Sequence, residues 1–104
     1  MMANVTAEFP TKGATVEVVT LRYWASARAA AGVSRDEIET STELTLAELI
    51  AASVRLHPDS PRLAEILDCC SILLGDQPVG AADRASVRVR SGSVVEFLPP
   101  FAGG

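Results

Sequence analysis

Residues 99–104, PPFAGG, carry the residue types and spacing that could do chemistry in this sequence. Two consecutive prolines stop sheet pairing and hold the chain extended, and Phe101 gives a single apolar anchor. Gly103 and Gly104 then end the polypeptide, an ending that arises by chance in about 0.5% of chains. We therefore expect a tail that projects outward, with a merely frayed terminus as the plain alternative.

The chemistry that suits such a tail uses the α-carboxylate of Gly104 itself. Glycine has no Cβ, so the tail can pass through a narrow channel and the carboxylate can be approached closely from any side. A free carboxylate is a poor acyl donor, so an outside enzyme must first join it to AMP using ATP. Sulfur can then displace AMP and leave a thiocarboxylate, whose ionised sulfur is a nucleophile that can be delivered elsewhere.

Outside the tail, the sequence holds no conventional catalytic or metal-binding constellation. His57 is the single histidine, and the adjacent Cys69 and Cys70 lack the spacing of a metal or redox motif. We predict no bound metal or cofactor. We also predict a helix-capping place for His57 and core positions at an element boundary for both cysteines.

Length, composition and charge narrow the class of protein. The chain has 104 residues, of which 48% are hydrophobic, which is enough for one small core without a deep cleft. Nine basic against 13 acidic residues give a net charge of −4, whereas nucleic-acid binding needs a cationic stripe. The first 30 residues show no positively charged start followed by an apolar segment, and the longest apolar stretches are far shorter than a membrane span. We therefore predict a cytoplasmic protein that binds neither nucleic acid nor membranes.

The first half of the chain predicts strands that alternate with helices. Residues 16–24 predict a strand with one apolar side. That side carries Val19, Leu21 and Tyr23. An Ala-rich segment follows and predicts a short helix closed by Gly32. Residues 34–41 then predict a polar edge strand, whose charges discourage pairing with other chains.

The main helix is predicted to begin at about Leu46. Thr45 and Glu48 form a capping box at its start, and a His-Pro dipeptide ends it. Its apolar stripe consists of Leu46, Leu49, Ile50 and Val54. Ser60 as an N-cap and Pro61 in the first turn predict a second, shorter helix.

The remaining residues predict two further strands and a turn. Residues 70–74, CSILL, form a short apolar run that predicts a buried strand. Residues 91–93 predict a turn before the last strand. In that last strand, we expect Val95 and Phe97 to face one side, opposite to Glu96.

Together these elements predict an α+β domain over residues 15–98, with one main helix on a single sheet face. Residues 1–14 are expected to form a flexible extension and residues 99–104 a flexible tail. The other sheet face is left for partners. It is expected to carry Thr20, Arg22, Glu96 and Leu98, and to continue into Pro99, Pro100 and Phe101.

Three stretches resemble the small subunit of molybdopterin synthase, MoaD, within the ubiquitin-like MoaD/ThiS sulfur-carrier family. They are LRYWASARAAAG, TLAELIAASVRLHP and VVEFLPPFAGG, and the resemblance spans residues 16–104. It implies a ubiquitin-like β-grasp fold, in which the first and last strands run parallel at the centre of a mixed sheet. The family's usual Gly-Asp before the last strand is Gly92-Ser93 here, a departure that touches no transfer chemistry.

The resemblance also implies a function and its partners. An E1-like adenylyltransferase would activate Gly104 with ATP, and a sulfurtransferase would supply the sulfur. The resulting thiocarboxylate would donate sulfur to a cyclic pterin phosphate in the large catalytic subunit, with Gly103 and Ala102 threaded into it. The residues that would bind the partner are Phe101, Pro100, Pro99 and Leu98. The chain would supply sulfur and no catalytic side chain of its own.

Two other interpretations stay open. The same tail chemistry serves the sulfur carriers of thiamin thiazole or cysteine synthesis, which also end in Gly-Gly. A ubiquitin-like interaction module with an inert tail is a candidate from a different class. A Pro-Pro directly before the last four residues is more typical of the molybdopterin branch, which we therefore favour.

Overall fold

The computed structural model describes residues 17–100, which form three helices and seven strands. In chain order these are β1 (Val18–Tyr23), α1 (Ala25–Ala31), β2 (Arg35–Glu39), β3 (Leu44–Thr45), α2 (Leu46–Leu56), α3 (Leu63–Cys69), β4 (Ser71–Leu74), β5 (Gln77–Pro78), β6 (Arg88–Val89) and β7 (Val94–Leu98). The predictions for residues 1–14 and 101–104 lie outside the described residues.

Five of these strands form a mixed sheet in the order β2-β1-β7-β4-β5. β1 and β7 are parallel, with Leu21 opposite Val95 and Tyr23 opposite Phe97. The other neighbouring pairs in this sheet are antiparallel. Because the first and last of these strands lie side by side while α2 crosses one face, the predicted β-grasp fold is confirmed.

The core lies between this sheet and the helices. Alternate strand positions supply its side chains, as expected from the two-residue period of a strand. The buried strand residues include Val19, Leu21, Tyr23, Ile72, Val95 and Phe97. The helices contribute Ala27, Ala31, Leu46, Leu49, Leu63 and Leu67. At the centre, the ring of Tyr23 stacks on that of Phe97, with the centroids 5.8 Å apart.

The predicted helix boundaries of α1 and α2 are confirmed. Gly32 closes α1 with a φ of 79°, and its N–H donates to the carbonyl of Arg28 at 2.9 Å. A residue without a Cβ adopts this left-handed conformation at little cost. At the start of α2, Thr45 Oγ1 accepts from the Glu48 amide at 3.1 Å, while Glu48 Oε1 accepts from the Thr45 amide at 2.8 Å.

The predicted start of the shorter helix is wrong. α3 begins at Leu63 rather than at Pro61, and Arg62 at its N-cap makes no side-chain capping bond. Pro61 and Arg62 instead form a turn, in which the Leu63 amide donates to the Ser60 carbonyl at 3.3 Å. The Ser60 carbonyl therefore accepts this hydrogen bond, whereas the sequence predicts that the Ser60 side chain caps the helix.

The small sheet of β3 and β6 was also not predicted. Leu44 pairs with Val89 and Thr45 with Arg88, two residues from each strand. Pairs this short, between segments far apart in the chain, leave too little alternation in the sequence to reveal them.

The two cysteines have different environments, so the prediction of two core positions is half wrong. α3 extends to Cys69, which is exposed, whereas Cys70 is buried. Burial raises the pKa of the Cys70 thiol to about 11, so it stays protonated at neutral pH.

Within residues 17–100, no helix is long and apolar enough to cross a membrane. The same residues hold no cluster of three His, Cys, Asp or Glu side chains that could bind a metal.

Replacing Thr45 with alanine tests the capping box. The substitution leaves the Glu48 amide without its side-chain acceptor, so we expect Thr45→Ala to lower the free energy of unfolding by about 1 kcal/mol. Urea denaturation followed by far-ultraviolet circular dichroism measures this change. Thr42→Ala, a nearby exposed position, is the matched control and should change stability little. Equal stability of the two variants would contradict the assignment.

Candidate functional site

The candidate site lies where β7 leaves the centre of the sheet and the tail begins. Leu98, its last residue, lies opposite Ser71 of β4. Pro99 is half-buried and Pro100 is exposed. Since proline has no amide N–H, it cannot extend the hydrogen-bonded ladder on either side. These residues therefore form the root of the tail, while the predicted site residues Phe101, Ala102, Gly103 and Gly104 lie outside the described residues.

The end of β1 lies beside the tail root. The Trp24 amide donates to the Phe97 carbonyl at 3.2 Å. The chain then turns into α1 through Ala25, whose φ of 49° is uncommon for a residue with a Cβ. The sequence predicts that this strand ends at Trp24, but it ends at Tyr23. The tight turn at Ala25 explains the difference.

The register of β1 and β7 fixes which side chains share the face away from the helices. Thr20 lies opposite Val94, and Arg22 lies opposite Glu96. These positions alternate with the buried residues that pack with the helices in one core. The prediction that Thr20, Arg22, Glu96 and Leu98 share the uncovered face is therefore confirmed.

The side chains of Arg22 and Glu96 on this face contact each other and the side chain of Trp24, which follows β1. The indole Nε1–H of Trp24 donates to Glu96 Oε1 at 3.0 Å. Arg22 Nη1 lies 3.9 Å from Glu96 Oε2, and its guanidinium carbon lies 5.0 Å from the centroid of the Trp24 ring. This distance is within cation–π range. The sequence analysis missed Trp24 here, although its spacing of two from Arg22 was a usable signal.

A cavity of about 550 Å³ opens next to this cluster. Residues of β1, α1 and β2, with Val94 of β7, line it, and Arg22, Arg28 and Arg35 are among them. Cationic side chains from three elements of the described residues therefore meet around one space. The sequence analysis did not predict it, because the arginines lie on separate segments and converge only through the fold.

The covered face contains a chain of polar contacts that links α2 to the first two strands. The Tyr23 hydroxyl donates to Asp36 Oδ2 at 2.8 Å and lies 2.6 Å from Ser53 Oγ. Because the single phenolic hydrogen goes to Asp36, Ser53 is the donor in the second bond. Asp36 Oδ2 also accepts from Nε2 of His57. Burial raises the pKa of the Tyr23 hydroxyl far above its ordinary value, and the hydrogen bond from Ser53 opposes that rise.

These contacts define the roles of His57, Ser53 and Asp36. His57 is the C-cap residue of α2, as predicted, but its imidazole pairs with Asp36 on β2. Ser53, which is fully buried, was missed, although it lies four residues after Leu49 on the same helix face. Asp36 was missed because a charged residue on an edge strand is normally solvated. The side chains of Tyr23, Asp36, Ser53 and His57 therefore hydrogen-bond to one another and link α2 to the sheet.

Residues 21–104 match the ThiS family. This chain belongs to the ThiS family. Its β-grasp fold is that of the MoaD/ThiS-type ubiquitin-like sulfur carriers. The match covers the described domain from Leu21 onward and the PPFAGG tail. Among curated proteins, none matches the sequence.

Solved structures similar to this ThiS-family chain come from archaea and bacteria. A Pyrococcus furiosus protein described as molybdopterin converting factor subunit 1 has a TM-score of 0.64 and 24% identity, covering 82% of this chain and 99% of that one. SAMP1 from Haloferax volcanii has a TM-score of 0.68 and 17% identity, covering 84% and 99%. A complex of subunits 1 and 2 of molybdopterin-converting factor from Helicobacter pylori gives a TM-score of 0.54 and 25% identity, covering 84% and 99%.

Replacing Tyr23 with phenylalanine tests the polar contacts. Tyr23→Phe keeps the ring that stacks on Phe97 but removes the hydroxyl, so the buried Ser53 loses its partner. We expect the free energy of unfolding to fall by about 1–3 kcal/mol. Exposed Ser86→Ala, away from these contacts, is the control in the same urea titration. A Tyr23→Phe protein as stable as the wild type would contradict the structural role.

Tyr23→Phe also tests how the Tyr23 hydroxyl makes the stability of the protein depend on pH. In the folded protein the Tyr23 hydroxyl keeps its proton above its ordinary pKa of 10.0, whereas the unfolded chain releases it. The stabilisation is therefore complete below about pH 10 and is lost as pH rises further. The wild type should lose stability above that pH more steeply than Tyr23→Phe does. Equal slopes from pH 9 to 11.5 would contradict the buried, proton-donating hydroxyl.

Proposed function

We propose that this chain is the sulfur-carrying small subunit of molybdopterin synthase. The carboxylate of Gly104 attacks the α-phosphate of ATP on an E1-like adenylyltransferase, which forms an acyl-adenylate and releases pyrophosphate. Sulfur at the oxidation level of sulfide, supplied by a sulfurtransferase and a reducing thiol, attacks the Gly104 carbonyl, displaces AMP and leaves a thiocarboxylate. In the large catalytic subunit, that sulfur bonds to a carbon of a cyclic pterin phosphate, and an oxygen substituent leaves that carbon. Water then cleaves the bond between the sulfur and the Gly104 carbonyl and restores the carboxylate.

The observation that carries this proposal is the position of β7. It is held on both sides, by β1 and by β4, and it passes without an intervening turn into Pro99 and Pro100. A tail attached there has a fixed origin and a stiff first segment. From Pro99 to Gly104 an extended chain reaches about 20 Å, so the carboxylate can enter a partner's active site while the domain stays outside.

The proposal gives this chain no catalytic side chain. Tyr23 and His57, the side chains with acid–base chemistry near the sheet, are engaged with Asp36 and Ser53. The pKa of Cys70 is raised, which makes its thiol a poor nucleophile at neutral pH. The proposal uses the terminal carboxylate as the reacting group, and the enzymes that bind the tail supply ATP and sulfur.

The similar structures support the choice of partner. In the Helicobacter pylori structure, subunit 1 of molybdopterin-converting factor forms a complex with subunit 2. By analogy, we propose that a large subunit receives the tail of this chain. Transfer to thiamin thiazole or cysteine precursors uses the same carrier chemistry and is the alternative pathway. The Pro-Pro before the last four residues favours the molybdopterin branch.

Deleting Gly103 and Gly104 tests the reacting group. The tail lies beyond the last strand, so the truncated chain should unfold at the same temperature as the wild type, within about 1 °C. It should nevertheless support no ATP–pyrophosphate exchange with the E1-like enzyme. Cys69→Ala, which removes the exposed thiol, is the control and should be adenylated at the wild-type rate. An acyl-adenylate on the truncated chain would disprove the role of Gly104.

The pathway is tested with the thiocarboxylated chain itself. Intact mass spectrometry should show a mass gain that corresponds to one oxygen replaced by sulfur. This protein is then mixed with the large subunit and the pterin precursor, or with precursors of thiamin thiazole or cysteine. We expect sulfur to appear in the pterin product. Sulfur that appears only in thiazole or cysteine would refute the molybdopterin assignment.

Phe101 is expected to anchor the tail in the large subunit. A buried aromatic anchor at an interface commonly contributes about 2 kcal/mol or more, so Phe101→Ala should weaken binding by roughly 30-fold. Isothermal titration calorimetry with the large subunit measures this effect. Leu56→Ala is the matched control, because Leu56 is an exposed apolar side chain on α2. An unchanged Kd for Phe101→Ala would remove Phe101 from the anchor role.

A further inference from the structure

The cavity lined by β1, α1 and β2 has a charge pattern that the sulfur-carrier role does not explain. We call it the arginine cavity, and its lining includes Thr20, Arg22, Trp24, Arg28, Ser34 and Arg35. Its volume is about 550 Å³. Three guanidinium groups gather here in a chain whose net charge is −4.

The arginines are placed where they repel one another. Arg22 and Arg35 lie directly opposite in the antiparallel pairing of β1 and β2. Like charges at such positions destabilise a sheet. Arg22 has a distant partner in Glu96, at 3.9 Å, with the Arg22 side chain 45% exposed. Within residues 17–100, Arg28 and Arg35 form no ion pair. An anion in this cavity would offset the repulsion.

The kind of anion follows from the donors. Sites for free phosphate usually gather several backbone amides around a single group. The cationic donors here are side chains on β1, α1 and β2, and no glycine lines the cavity. Glu96, held by the indole of Trp24, places a negative charge beside them and disfavours a compact dianion. Separate carboxylates on a protein surface can reach separate arginines and avoid Glu96.

We propose that the arginine cavity is a docking site for an acidic segment of the large subunit. Arg28 and Arg35 form the ion pairs, and the ring of Trp24, which is 39% exposed, supplies packing area. The identity of the partner rests on the function proposed above. Trp24, which lines the cavity, donates its amide to the carbonyl of Phe97, two residues before Pro99. A partner that holds the tail can therefore also reach this side of the cavity.

Trp24 is the only tryptophan in the chain, so its fluorescence reports on the cavity directly. The first experiment titrates the full chain with a hexaglutamate peptide at about 20 mM NaCl, where charge interactions are weakly screened. We expect a saturable change in Trp24 fluorescence that disappears at about 500 mM NaCl. The double variant Arg28→Gln plus Arg35→Gln should weaken binding by about tenfold or more.

Arg55→Gln is the matched control. Arg55 is an exposed arginine of α2, outside the cavity, and it forms no ion pair within residues 17–100. The affinity of the Arg55→Gln protein for the peptide should stay within about twofold of the wild-type affinity. The double variant should fold, because Arg35→Gln removes a repulsion from Arg22. A double variant that binds the peptide as the wild type does would overturn the proposal. So would inorganic phosphate that saturates the cavity at a lower concentration than the peptide.

The second experiment measures the Kd of the large subunit for the same proteins by calorimetry. We expect the double variant to bind about tenfold more weakly at low salt, with Arg55→Gln unchanged. Equal affinity for the wild type and the double variant overturns the docking site and leaves the proposed function intact. A wild-type chain that does not bind the large subunit contradicts the proposed function and with it this choice of partner. The peptide titration then decides whether the cavity binds acidic segments.

Discussion

The parallel pairing of β1 with β7 is the interaction on which the rest of this structure depends. It joins the first and last described strands, and the rings of Tyr23 and Phe97 stack across it. Parallel neighbours cannot be linked by a tight turn, so the chain between them must leave the sheet and return. That requirement sends α2 across one face. It also places Trp24, the residue that follows β1, against the last residues of β7 before the tail.

The two sheet faces consequently have different tasks. The covered face uses its apolar residues for the core, and its polar residues Tyr23, Asp36, Ser53 and His57 bond to one another. Little on that side is free to meet another molecule. The uncovered face keeps charged and aromatic groups that are only partly paired, such as Arg22, whose carboxylate partner lies 3.9 Å away. We therefore expect partner recognition at the uncovered face, while the contacts of the covered face stabilise the fold.

The sequence predicted those features that local chemistry determines. The capping box of Thr45 and Glu48, the glycine at the end of α1 and the alternation in β7 each rest on a few neighbouring residues. Features that depend on distant segments were missed: the pairing of β3 with β6, the inward carboxylate of Asp36 and the convergence of the arginines. For the site, the sequence alone predicted the chemistry of the tail, and the structure added the surface at its root.

The choice of partner depends both on the tail, which the sequence predicts, and on the surface of the domain, which the structure shows. A glycine-rich tail that threads into a narrow channel has few side chains, so it carries little information about which protein should bind it. Carriers with the same terminal chemistry need a second contact to distinguish their partners. Charged groups suit this purpose, because like-charged surfaces repel and complementary ones associate faster. Arg28 on α1 and Arg35 on β2 line one cavity, so under the proposal above they would select a partner while taking no part in the sulfur chemistry.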